Sequence, residues 1–200
     1  MTRTVGIYIF DNVEVLDFAG PYEVFTCASR MAAKMAPGAP PPFAVCTIGA
    51  SHAPVRARAG LVLHPEADFA DAGHIDVLVV PGGVVDAELM RPDVIAWIAA
   101  RANHAELTAS VCTGALLLAE TGMLDGLEAT THWDDLAALR AGWPKVKVAD
   151  GRRWIDTGRV ITSAGISAGI DMSLHLVARL AGQELAERTA HLMDYDWRRD

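Results

Sequence analysis

The sequence predicts an α/β fold built on a mostly parallel sheet with helices on both faces. Three observations carry that prediction. Short continuous apolar runs such as Asp76-Val-Leu-Val-Val80 have the character of strands buried on both sides. These runs alternate along the chain with longer segments of helical periodicity. Turn signals, among them Pro81-Gly82-Gly83, punctuate the boundaries between them.

Taken in order, Val5 to Phe10 is expected to be a buried strand, followed by a helix from Pro21 to Met31 that the proline opens at its first position. Lys34 to Pro42 contains three consecutive prolines after a Pro-Gly pair, which deny both ladder and helix, so it is a loop. Phe43 to Ile48 is a second strand, and Val55 to Leu63 alternates around Gly60 as a hairpin or bent strand does. Asp76 to Val80 is a central strand, and Val94, Ile95 and Ile98 mark one face of a helix over Pro92 to Asn103. A strand then ends at Cys112 and a helix begins at once. A short run Ala129-Thr-Thr-His-Trp133, a helix over Asp134 to Arg140, strands at Val146 to Val148 and Val160 to Ser163, and helices over Asp171 to Leu180 and Glu184 to Met193 complete the chain. Ligands of such sheets bind beyond the carboxyl ends of the strands, which brings together the loops after Phe10, Val80 and Val111.

With 200 residues, 52% of them hydrophobic, the sequence suits one well-filled domain spanning 1–200. A formal net charge of −8 offers no positive field for phosphates, so direct binding of nucleic acid is not expected. No segment approaches the roughly 18 uninterrupted apolar residues of a membrane span. The first apolar run is too short for a signal peptide, and a cytoplasmic protein without membrane contact is the expectation. Cys27, Cys46 and Cys112 form an odd set without C-x-x-C spacing, which argues for free thiols and against a disulfide framework or a zinc site.

Chemistry concentrates at Cys112. A thiol at a strand-to-helix corner projects off the sheet and sits at the positive end of the next helix, which favours thiolate, and Gly114 lets that helix pack close. The Thr113 N–H and amides of Gly82, Gly83 and Val84 form a candidate anion hole. A buried core cysteine is the other reading of Cys112, and spacing leaves both open. Cys27 and Cys46 fall inside helix and strand patterns and are read as core. Asp17, flanked by Leu16 and Phe18, is either a helix-capping group or a desolvated proton donor. His132 and Trp133 lie in TTHW, where an isolated histidine is commonly structural; His175 is read the same way. Gly165 and Gly169 permit close approach at another strand-to-helix turn, and Asp171 is read as a first-turn charge on the helix dipole.

In their order, LDFAGPYEVF, VVPGG, SVCTGALLLAETGMLDG, ATTHW and ITSAGISAGIDM resemble the ThiJ/PfpI superfamily (class I glutamine amidotransferase-like). The similarity is to the branch that contains isocyanide hydratase and the sensor domains of AraC-type regulators, and it covers nearly the whole chain. It implies a flavodoxin-like three-layer αβα sandwich, a nucleophile-elbow cysteine, a small-molecule substrate, a homodimer, and no metal or organic cofactor. Thr113 stands where proteases of the superfamily carry a histidine, and Asp17 stands in for the glutamate of its glyoxalases and deglycases. The set Asp17, Cys112 and Thr113 matches isocyanide hydratase. On that resemblance Cys112 attacks the isocyanide carbon, Asp17 carries a proton, Thr113 orients the attacking group, and His132 and Trp133 contact substrate. The Cys-Thr-Gly and TTHW motifs and the ending MDYDW resemble the AraC-type sensors as well. Those regulators continue into a DNA-binding domain, whereas this sequence stops at Arg198-Arg199-Asp200, so an enzyme is expected, with a ligand sensor and a glyoxalase or deglycase as the alternatives.

Overall fold

The computed structural model describes residues 1–199. The elements run β1 (Arg3–Tyr8), α1 (Val15–Met35), β2 (Phe43–Gly49), β3 (Val55–Arg56), β4 (Val62–Leu63), β5 (Ala67–Asp68), β6 (Val77–Val80), α2 (Asp86–Leu89) and α3 (Pro92–His104). They continue with β7 (Leu107–Val111), α4 (Gly114–Glu120), β8 (Glu128–Ala129), α5 (Leu136–Gly142), β9 (Lys147–Val148), β10 (Trp154–Asp156), β11 (Val160–Ser163), α6 (Ala168–Ala181) and α7 (Gln183–Leu192). Seven strands form one sheet in the order β10-β11-β7-β6-β1-β2-β5, parallel throughout except for the β10–β11 edge pair. Helices α1, α6 and α7 pack on one another, as do α2, α3 and α4, and the two groups sandwich the sheet in a flavodoxin-like αβα arrangement.

The central strands are buried on both faces, β6 with apolar residues only and β7 and β11 with Thr and Ser among them. Every residue of β6, β7 and β11 is buried, and each fully buried Val, Leu or Ile contributes about 1.5–3 kcal/mol. Tyr8 extends that core into an aromatic cluster with Phe10, Phe69 and Trp97, and its hydroxyl donates to the buried Glu88. The expected hairpin at Val55 to Leu63 is the antiparallel β3–β4 pair.

One expectation needs correction and two are refined. Helix α1 starts at Val15, so Pro21 lies inside it and not at its first position. Contacts from the loop after β6 set that start: the Glu14 N–H donates to Gly82 O at 2.8 Å, and Val13 bridges Gly83. Packing of α1 against α6 and α7 then carries the turn where Pro21 has no N–H to offer. As a result Asp17 belongs to the first helical turn and not to the preceding loop. The segment read as a strand at Val146 to Val148 pairs with β8 in a separate two-stranded sheet. Asp171 does stand in the first turn of α6, as expected, but it is fully buried, bound by Arg153 through Nε at 2.7 Å and through Nη2, and by the Arg198 N–H at 2.9 Å. It fastens α6 to Arg153, just ahead of β10, and to the C-terminal segment.

The carboxyl ends of β1, β6 and β7 do converge. Val84 N–H donates to Asn12 O at 3.1 Å, and Thr113 reaches Gly83. Helix α4 fits this junction because Gly114 lacks a side chain: a Cβ there would lie 2.1 Å from Val80 O.

Candidate active site

Cys112 occupies the corner between β7 and α4 with φ 56°, a left-handed conformation that strains a residue bearing a Cβ by about 1–3 kcal/mol. The surroundings hold it there. Its N–H lies against Ser163 O and Ala164 O at 3.2 and 3.3 Å, and its carbonyl accepts from the Thr131 hydroxyl at 2.8 Å. This geometry turns the thiol off the sheet, and although Cys112 is nearly buried, it lines a small cavity.

Asp17, from the first turn of α1, lies beside the thiol and is fully buried. Its Oδ2 accepts from the Gly82 N–H at 3.1 Å, while Oδ1 has no partner among the described residues. It caps nothing. Burial raises its pKa to about 7, against the pull of the Gly82 N–H and of the neighbouring Cys112 thiol. Burial first, then the Asp17 charge, pushes the thiol up to about 12, opposed by the N–H groups of Thr113 and Ile166. The thiolate expected from the helix terminus is therefore outweighed: α4 is seven residues long, and desolvation beside a carboxylate dominates. Between about 7 and about 12 the pair therefore holds one proton and one negative charge.

The expected anion hole is also placed differently. Gly82 N–H is engaged by Asp17, Gly83 N–H by Thr113 Oγ1 at 2.8 Å, and Val84 N–H by Asn12 O. The Thr113 hydroxyl donates in turn to Gly83 O at 2.9 Å. Having a single proton, it serves Gly83 O or the sulfur, but not both. The amides turned toward sulfur are those of Thr113 and Ile166. Ile166, at φ 53°, is a β-branched residue in a region such residues rarely enter, and the turn that holds it there aims its N–H at Cys112.

His132 stands at the cavity wall with its ring laid on the backbone of Gly165, where a Cβ would come within 2.0 Å of Cδ2. Its Nδ1 accepts from the Asp134 N–H at 3.3 Å and lies 3.5 Å from Asp135 Oδ2. Trp133 is 73% exposed and, like Val84, lies outside the lining. Glu14, Arg58, Asp134 and Asp135 complete the wall, and the cavity encloses about 150 Å3. A roomier cleft of about 370 Å3, bordered by Asp11, Val55 and Val62, holds no nucleophile. Cys27 is buried in α1, Cys46 is half-buried, and His175 pairs with Asp156 at 2.7 Å, all outside the cavity lining.

Sequence reasoning did not find Glu14, Arg58, Asp135 or Ile166. The first two meet only because the β3–β4 hairpin folds over the start of α1, a contact across 44 positions. The repeated Ala-Gly steps around Ile166 marked a tight turn but not which residue would take the strained angle.

A fully buried carboxyl group lies beside a thiol on a strained strand-to-helix corner, at the carboxyl end of a parallel sheet of the flavodoxin-like class. The chain matches the DJ-1/PfpI family over residues 3–179 and belongs to it. It is 34% identical over 199 residues to an isonitrile hydratase of Pseudomonas putida, covering 98% of this chain and 79% of that one. It is 28% identical to the HTH-type transcriptional regulator GbdR of Pseudomonas aeruginosa, over 97% of this chain and 51% of the regulator, so it spans about half of that protein's length. The crystal structure of a ThiJ/PfpI family protein from Pseudomonas syringae superposes with a TM-score of 0.85 at 30% identity, covering 98% of this chain and 76% of that chain. Among the described residues no helix is long and apolar enough to cross a membrane.

Proposed function

We propose that this protein is a cysteine-dependent hydratase that converts an isocyanide and water to an N-formamide. The observation that carries the reading is the fully buried Asp17 carboxyl beside the Cys112 thiol at the strained elbow. As sulfur attacks the terminal carbon of R–N≡C, Asp17 takes the thiol proton and delivers it to that carbon, giving a thioimidate, Cys112–S–CH=N–R. Asp17, again a carboxylate, takes a proton from water as the water oxygen bonds to the same carbon, then passes that proton to nitrogen. The C–S bond breaks, the hydroxyl proton returns to sulfur by way of Asp17, and R–NH–CHO leaves. The Thr113 and Ile166 amides steady the charge on sulfur as it enters and departs. A carboxyl near 7 suits a group that must accept and return protons at neutral pH. Every step balances on these groups and water.

Likeness to an isonitrile hydratase over nearly the whole chain supports the reading. Assembly as a homodimer of single-domain chains in the cytoplasm belongs to the same proposal. The test is formamide formation from a series of alkyl and aryl isocyanides: turnover is expected from the wild type and none from Cys112→Ala, and turnover that survives the substitution would sink the proposal. Likeness to a transcriptional regulator over 97% of the chain favours a second reading, a ligand-sensing domain. That reading predicts saturable binding that persists in Cys112→Ala with no turnover.

A further inference from the structure

At the end of the sheet away from Cys112 lies a cleft that the hydration steps do not use. Ile75 stands just ahead of β6 and His104 closes α3, so the cleft lies at the amino end of the strands, whereas Cys112 lies beyond the carboxyl end of β7. Its volume is about 510 Å3, within the roughly 300–1,000 Å3 of small-molecule sites, and Ile75, Ala100 and the Trp97 indole give it apolar walls. Trp97 is only 8% exposed and lines this cleft, yet its Nε1–H finds no acceptor among the described residues. An indole N–H can only donate, and a buried donor of this kind ordinarily has a partner. Phe69 stacks on the ring at 4.3 Å, and the Arg101 guanidinium lies 5.7 Å from the ring centre. Arg101 lines the cleft as well, and among the described residues it meets no carboxylate, only the carbonyls of Gly73 at 3.3 Å and Phe69 at 3.5 Å. Its Nε–H and the second hydrogens of both Nη atoms are left free. The acceptors close by in the chain are already taken: Asp76 by the Thr4 N–H at 2.7 Å and by His74 Nε2 at 3.1 Å, and Ala100 O by His104 Nδ1–H at 2.8 Å.

We infer that this cleft binds a small organic acid, whose carboxylate accepts from Arg101 and from the Trp97 Nε1–H while its apolar body rests on Ile75 and Ala100. A guanidinium presents its N–H groups in a plane that matches a carboxylate, and the indole donor answers a remaining lone pair. One fixed positive charge between apolar walls suits a monocarboxylate; a phosphate needs more charge and more donors than Arg101 and Trp97 supply. The site is separate from the elbow, and the inference does not rest on the hydratase reading.

The test reads the indole N–H resonances of the nitrogen-15-labelled full chain by NMR, with the Trp97 signal assigned by its absence in Trp97→Phe. Titration with cyclohexanecarboxylate should move the Trp97 signal and saturate. Cyclohexanecarboxamide, of the same shape without the charge, and inorganic phosphate at matched ionic strength should produce no saturable shift. In Arg101→Gln the Kd for the acid should weaken roughly 10-fold or more, with the other tryptophan signals unmoved as the sign of a folded variant. Arg101→Lys, which keeps the charge and loses the planar fork, takes its place if Arg101→Gln does not fold, and weaker binding is expected there too. By calorimetry, Trp97→Phe should weaken the acid roughly 3-fold or more, and Cys112→Ala should bind it as the wild type does. The absence of a saturable Trp97 shift at millimolar acid, an equal response to the amide or to phosphate, or a Kd unmoved by the Arg101 variants overturns the inference. Loss of binding in Cys112→Ala overturns it as well, because the acid would then sit at the elbow.

Discussion

Replacing Asp17 by asparagine removes a destabilising contribution that grows as pH rises from 3.8 to about 7. The Asp17 carboxyl titrates near 7 in the folded chain against an ordinary value of 3.8. Below 3.8 both folded and unfolded chains hold the proton and the site costs nothing. Between 3.8 and about 7 the unfolded chain releases its proton while the folded chain keeps it, so stability drains away as pH rises, and above about 7 the full cost is present. At 1.36 kcal/mol for each pH unit between the two values, that cost is about 4 kcal/mol. In Asp17→Asn the side-chain carbonyl would keep the Gly82 N–H contact and the group would carry no charge. Whatever the new amide loses beside Cys112 is the same at every pH and cancels in the comparison. Urea unfolding of wild type and Asp17→Asn from pH 4 to pH 8 should show the variant gaining roughly 3–4 kcal/mol relative to wild type across that range. In thermal unfolding that corresponds to roughly 10 °C. The thiol of Cys112, ordinarily at 9.0 and raised to about 12, begins to matter only above pH 9 and does not blur the measurement. A stability difference flat in pH, or one that moves toward the wild type as pH rises, would refute the reasoning. The same variant should lose isocyanide turnover, so that the gain in stability with pH comes with the loss of activity.

Further outcomes follow from other contacts. For the wild type, kcat/KM for hydration should rise through pH ~7 as Asp17 becomes the carboxylate that takes the thiol proton, then stay level to pH ~9; a profile falling above 7 would assign Asp17 the opposite state. Gly114→Ala would place a Cβ 2.1 Å from Val80 O and 2.9 Å from the Pro81 carbonyl carbon, so a loss of roughly 3 kcal/mol or more is expected in denaturant titration, together with altered alkylation of Cys112. Arg153→Met leaves Asp171 buried and uncompensated, for a loss of about 3–5 kcal/mol, part of which Asp171→Asn should restore when combined with it.

The sheet interior was legible in the sequence because a strand buried on both faces is largely or continuously apolar. Val77–Val80 is a continuous run, while Leu107–Val111 and Val160–Ser163 are as fully buried but carry Thr108, Ser110, Thr162 and Ser163 among their apolar residues, and the corner at Cys112 follows from β7 meeting Gly114. The short edge strands at Ala67–Asp68 and Trp154–Asp156 are too brief to show a period, and their pairing depends on neighbours distant in sequence. The start of α1 was misplaced because Pro21 is a valid first-turn signal, while the contact that actually sets the start, Glu14 to Gly82, spans 68 positions. Of the site, Cys112, Asp17 and Thr113 were legible as a set. Their protonation was not: the helix terminus points toward thiolate, and only burial, invisible in a string of letters, reverses the direction. The same holds for the amides of Gly82 and Gly83, which looked free until folding supplied Asp17 and Thr113 as partners.

The central claim is that Cys112 bonds to the substrate carbon while Asp17 carries the proton, and its most direct test is the mass of Cys112 during turnover. An excess of isocyanide is mixed with the protein, quenched in acid within the first turnover, and the peptide containing Cys112 is weighed. Addition of a thiol to an isocyanide loses no atom, so the peptide should gain the full mass of one isocyanide in the wild type, and the gain should form far more slowly in Asp17→Asn. Formamide produced at the wild-type rate with Cys112 never modified, or with Asp17→Asn forming the adduct as fast as wild type, would contradict the account.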